Sequence, residues 1–172
     1  MTLDTMQDLL LAQLKDIYSA ETQIVRALPK LAKVAANESL SEAFRTHLAE
    51  TEGQIERLEE IFGSLHASPR GKKCKGMEGL LAESAETMDE EGDDAVIDAG
   101  LIADAQRVEH YEIAAYGSAK ARAAMLGHDR MVSLLEETLR EEVATDEKLS
   151  RIADQEVNPQ AAGASVAPRS DV

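Results

Sequence analysis

Leu10, Leu14, Ile17, Glu21, Ile24, Leu28 and Leu31 follow one another at alternating spacings of four and three residues. That alternation draws a single stripe down a helix packed in a bundle. It constrains the fold more than any other feature of the chain, because a carboxylic acid stands in the middle of an otherwise apolar seam. Pro29 falls inside the same pattern and is expected to bend the helix or interrupt its hydrogen bonding.

The first helical segment runs from about Asp4 to Ala36. After a break at Asn37-Glu38, Ser39 and Glu42 have the spacing of a capping box. Leu40, Phe44, Leu48, Ile55, Leu58, Ile61 and Phe62 then mark a second helix ending near Gly63. So short a connection makes the two helices an antiparallel hairpin. Residues 64 to 94 hold a basic loop (Ser68 to Gly76), a short helix over Met77 to Met88 and an acidic turn up to Asp94. A third long helix runs from about Asp94 to Leu126 with Gly127 as its C-terminal cap, and a fourth from Asp129 to about Glu156. Beyond Pro159 the composition turns to Ala, Gly, Ser and Pro. The expected organisation is therefore one domain over residues 1–157 and a disordered tail over 158–172. Two hairpins joined by a long crossover define an all-α, ferritin-like antiparallel four-helix bundle.

Composition agrees. Aromatic residues make up 3% of the chain and there is no Trp, while helix formers are plentiful. The formal net charge of −15 would repel a phosphate backbone or an anionic lipid surface and attract cations, so no nucleic-acid or membrane partner is expected. Cys74 is the only cysteine, which rules out an intrachain disulfide and a cysteine-rich zinc site. The N-terminal residues carry no secretory pattern and no apolar run approaches a membrane span, so a soluble, cytoplasmic protein is expected.

The other long helices repeat the anomaly of the first. Met131, Leu135, Thr138, Thr145, Leu149 and Ile152 set an alternation that passes through Glu142, and a second line adds Asp146 one turn on. Helix two carries His47, Glu50 and Gln54 at spacings of three and four, and helix three carries Glu109 and Glu112 one turn apart. Measured from the hairpin turns, Glu21, Glu50, Glu112 and Glu142 stand at comparable heights. Carboxylates crowded in a low-dielectric core repel one another and are costly to desolvate. Protonation or a cation resolves the conflict. Oxygen ligands suit two divalent ions of iron or manganese, as in bundles where acids project inward from facing helices. Ordinary solvated or interfacial acids are the competing reading.

Asp16-Ile-Tyr-Ser-Ala-Glu21-Thr-Gln23, His47-Leu-Ala-Glu50-Thr-Glu-Gly-Gln54, Lys75-Gly-Met-Glu-Gly-Leu80, Val108-Glu-His-Tyr-Glu-Ile113 and Glu141-Glu-Val-Ala-Thr-Asp146 resemble the YciF/YciE-type ferritin-like proteins of bacteria, over about residues 3 to 157. The resemblance implies a homodimeric bundle, a link to stress responses and a dinuclear metal centre, so a di-metal oxidoreductase is one expectation for its activity. By motif position it implies Glu21, Glu50, Glu109 or Glu112, and Glu142 as ligands, with Gln54 and Asp146 supporting. One departure stands out. Where many ferritin-like enzymes have Glu-x-x-His, Glu50 is followed at that spacing by Gly53 and Glu142 by Thr145.

His47 reads as a packed core histidine, His110 as structural, Tyr18, Tyr111 and Tyr116 as packing, and Cys74 as a spare surface thiol. Apolar residues beside the seams, such as Leu11, Val25 and Leu48, are expected to pair two copies. Three functions follow: a dimetal stress protein with redox or sequestering chemistry, a metal-free helical interaction dimer, and a storage subunit of a closed shell.

Overall fold

Thr5 opens the first helix with a reciprocal cap: its hydroxyl accepts the Asp8 N–H, and the Asp8 carboxylate accepts the Thr5 N–H. The computed structural model describes residues 2–164. From this cap α1 (Met6–Val34) runs unbroken through Pro29, followed by α2 (Glu38–Ser64), α3 (Lys75–Asp89), α4 (Asp94–Met125) and α5 (Asp129–Ile152). A π-helical turn (Ala153–Val157) leads into α6 (Asn158–Ala164).

Two local expectations are corrected. The cap of α2 is Asn37, whose side chain accepts the Leu40 N–H at 2.9 Å, so Ser39 lies inside the first turn. The turn before it is shaped from a distance: the buried Asp98 carboxylate on α4 accepts the N–H groups of Ala36 at 3.0 Å and Asn37 at 2.7 Å. At the other end, residues 158–164 are helical rather than disordered. The wider π turn leads directly into α6, which carries Pro159 in its first turn, where a missing N–H is tolerated, and packs on α4. The remaining tail, 165–172, lies outside the described residues.

Core packing gives the topology. One apolar cluster gathers Leu10, Leu14 and Ile17 of α1 with Leu58, Ile61 and Phe62 of α2, Tyr116, Ala119 and Ala123 of α4, and Met131 and Leu135 of α5. The other joins Ile24, Leu28 and Leu31 with Leu40 and Phe44, Leu101, Ile102 and Ala105, and Leu149 and Ile152. Helix α1 is therefore antiparallel to α2 and α4, while α2 and α4 run parallel. The segment linking the end of α2 to the start of α4 consequently travels the length of the bundle. Its helix α3 packs on α4 and α1. Glycines permit the close approach: a Cβ at Gly76 would stand 2.8 Å from the Tyr111 ring, and one at Gly100 2.9 Å from Thr87. Thr87 also donates to the buried Asp104 at 2.6 Å. Gly127, at φ +76°, turns α4 into α5 as its position implied. Leu11 and Leu48, expected on a pairing surface, pack partly against the two clusters.

Candidate metal centre

Between the two apolar clusters lies a buried polar layer. Its members are Glu21 of α1, His47, Thr51 and Gln54 of α2, Glu109 and Glu112 of α4, and Thr138, Glu142 and Thr145 of α5. Helix periodicity puts them there. On α2 the sequence Leu40, Phe44, His47, Thr51, Gln54, Leu58, Ile61 keeps the alternation of four and three that Glu21 keeps on α1. On α4 the matching stripe is Ile102, Ala105, Glu109, Glu112, Tyr116, Ala119.

One ligand atom each from His47, Glu109, Glu112 and Glu142 lies within 4.8 Å of all the others. The His47 Nε2 is 3.3 Å from Glu109 Oε1 and 4.0 Å from Glu142 Oε2. On the other side of Glu142, the Gln54 amide donates to both its Oε1 and, at 3.1 Å, to Glu141 Oε2. Arg57 holds Glu141 through two bonds, of 2.5 and 2.9 Å, and donates to Thr138 at 2.6 Å. Tyr116 donates its hydroxyl to Glu21 Oε1.

These bonds leave much unsatisfied. Glu21 Oε2, Gln54 Oε1, Glu109 Oε2, both Glu112 oxygens, Glu142 Oε2 and both His47 ring nitrogens are buried without a hydrogen-bond partner. Such groups normally find partners, and each left alone costs about 1–3 kcal/mol. Burial, with the Glu142 charge next in weight, pushes the Glu21 carboxyl up to about 8. Glu109 and Glu112 rise well above the usual carboxylate range, again through burial first and then neighbouring acids. Glu142 also rises through burial, opposed by His47. Convergent oxygens and an imidazole, stripped of water and deprived of donors, form a hard-cation donor set. The residues present fit a divalent metal.

Of the residues singled out from the sequence, the structure brings Glu21, Gln54, Glu109, Glu112 and Glu142 into this layer. It does not bring in Glu50 or Asp146, each one position off its helix's inward stripe. Glu50 has 38% of its side chain exposed and stands 3.6 Å from His47 Nδ1, which holds its carboxyl below the usual range. Asp146 accepts from Gln106 at 3.0 Å at the α4–α5 edge, with His110 Nε2 3.6 Å away. Sequence reasoning took His47 as a packed core histidine and Tyr116 as packing, and did not single out the Arg57–Glu141 pair; the unbroken stripe on α2 was the signal for His47. It also misplaced Cys74, which is buried. Cys74 caps α3, and its Sγ lies 2.9 Å from the Tyr111 hydroxyl, which donates to Asp16 at 2.8 Å. Burial pushes the thiol up.

Antiparallel hairpins, a full-length crossover and inward acids at mid-height define a ferritin-like helical bundle. The chain belongs to the family described as a domain of unknown function, DUF892, whose model matches residues 5–162. It is similar to Protein YciF of Escherichia coli (strain K12), with 47% identity over 162 residues covering 94% of this chain and 98% of that protein. The crystal structure of the E. coli stress protein YciF superposes with a TM-score of 0.87 over 90% of this chain and 98% of the other. YcfI of Rhodopseudomonas palustris, described as a putative structural protein, is 49% identical, with a TM-score of 0.83 over 86% and 94%. A ferritin-like, diiron-carboxylate protein from Bacillus anthracis shares the fold at 19% identity, with a TM-score of 0.67 over 88% and 99%. No helix among the described residues is long and apolar enough to cross a membrane.

Proposed function

We propose that this chain is a stress protein whose buried layer binds two divalent ions, iron or manganese. The observation that carries the reading is the set of buried, unpartnered oxygens on Glu109, Glu112 and Glu142 gathered with the unpartnered His47 ring, with an unpartnered Glu21 oxygen in the same layer. Glu109, Glu112, Glu142 and His47 would hold the metal, with Glu21 completing the set. Gln54, fixed by Glu141 and Arg57, would aim Glu142. Such ions supply one-electron redox capacity toward small oxidants, and bound without turnover they amount to sequestration. The stress role rests on the likeness to YciF, and the protein acts as a homodimer.

The test counts manganese and iron in the purified protein beside its melting temperature and solution mass. The reading expects about two ions per chain, a metal-dependent rise in melting temperature and a dimer by light scattering. Glu142→Gln should lose both the ions and the rise. A parent protein that holds no metal, with Glu142→Gln neutral or stabilising, would replace this reading by a metal-free helical dimer whose acids are protonated. That alternative draws on the same raised carboxyls of Glu109 and Glu112.

A further inference from the structure

Outside the buried layer, a groove of about 200 Å³ lies along the seam between α2 and α5, lined by Thr46, Glu50, Thr145, Lys148 and Arg151, with Ala43 at its floor. Inside the bundle, a cavity of about 20 Å³, room for roughly one water-sized group, has His47 and Glu109 in its lining together with Ala27 of α1 and Leu81 and Ser84 of α3. Ala43 and Thr145 line both spaces. Two small side chains are thus the wall between the surface groove and the buried donors. Across the same wall the His47 ring reaches both ways, with Nδ1 3.6 Å from the half-exposed Glu50 and Nε2 3.3 Å from the buried Glu109.

On the α1–α4 side the crossover helix α3 lies over part of the bundle, and the groove of about 380 Å³ beside it, lined by Asp16, Ile17, Lys72, Tyr111 and Ala115, has neither His47 nor Glu109 in its lining. Further along the α2–α5 seam, Arg57 fills the gap, bonded to Thr138 and Glu141, and presents a positive charge.

We propose that divalent cations enter through the α2–α5 groove, with Glu50 as the carboxylate that first receives them and His47 as the group that passes them to Glu109. This rests on the metal-binding reading above and adds to it a route and a gate. Glu50 is a port residue rather than a resident ligand: its carboxylate concentrates cations at the groove mouth. Lys148, the ammonium whose field acts on Glu50, competes there with the incoming ion and slows entry. Ala43 and Thr145 are the constriction.

The test is the rate of manganese(II) uptake by the whole chain, separated from the amount held at equilibrium. The chain has no Trp, so tyrosine fluorescence in a stopped-flow mixer reports arrival beside Tyr116, and ions are counted after desalting. Glu50→Gln should slow uptake on the order of tenfold while the final count equals that of the parent. Lys148→Gln should speed uptake severalfold. Glu52→Gln, an exposed acid on the same helix but off the seam, should load at the parent rate. Ala43→Leu should slow loading by narrowing the wall; should it not fold, the two surface variants still decide. Uptake by Glu50→Gln at the parent rate would overturn the route. A fall in its final count would make Glu50 a resident ligand and equally overturn the proposal. If the parent holds no manganese, the metal reading itself fails and the route falls with it. Parent binding with an unslowed Glu50→Gln removes the route alone.

Discussion

The acids on opposite sides of the buried layer are treated differently by their neighbours. On the α1–α5 diagonal each glutamate owns a donor: Tyr116 bonds to Glu21 and Gln54 to Glu142. On α4, Glu112 has no donor for either oxygen, and Glu109 faces the His47 ring 3.3 Å away and the Glu142 carboxyl, a second acid rather than a donor. Each diagonal acid has a donor that favours its anion and offsets part of the rise that burial imposes. The α4 pair has no such support and depends on a proton or a metal for neutrality. The donors on one side and their absence on the other place the demand for positive charge beside α4, next to the His47 end of the layer.

The largest effect that would break this contrast is on α4. In metal-free protein, Glu109→Gln/Glu112→Gln should stabilise the fold at pH 8 by about 1–4 kcal/mol, because it removes two buried carboxyls that the fold must either keep protonated or bury charged. The sign with pH follows from the raised carboxyls. Their stabilising contribution is fully present below the unfolded value of 4.5 and is lost as pH rises toward the folded value, about 8 for Glu21. The metal-free parent should therefore weaken between pH 5 and pH 8, and the gain from the double variant should shrink at pH 5. Urea midpoints at the two pH values, measured in chelator, decide it. Equal gains at both would mean that burial does not raise the α4 carboxyls.

A smaller change sharpens the other side. Tyr116→Phe removes the donor to Glu21 without opening a large cavity and should cost about 1–3 kcal/mol. Opposite signs for the α4 double variant and Tyr116→Phe are the signature of the contrast. A neutral Tyr116→Phe would show that its bond to Glu21 adds nothing.

Much of this was legible in spacing. The alternation of four and three carries Glu21 on α1 and Glu142 on α5 straight into the layer, because burial follows helical phase. The same rule on α2 selects His47 and Gln54 and leaves Glu50 at the rim. Reading Leu48 and Ile55 into that seam let the stripe drift by one position, a rotation of about 100° on a helix. Asp146 was gathered by a similar drift. Less was legible where the partner is distant in sequence. Asp98 shapes the turn at Asn37 from another helix, Arg57 and Glu141 fix Gln54 across a helix pair, and Cys74 is buried by Tyr111 and α1. The helical continuation past Ile152 packs on α4, a contact that local composition does not report.

The most direct test of the buried layer is a crystal structure of the manganese-soaked protein with anomalous differences measured at the manganese edge. Two peaks per chain enclosed by His47, Glu109, Glu112, Glu142 and Glu21 are the predicted result. Peaks confined to surface acids, or an empty layer in fully soaked crystals, would contradict the claim that these buried carboxylates exist to hold metal.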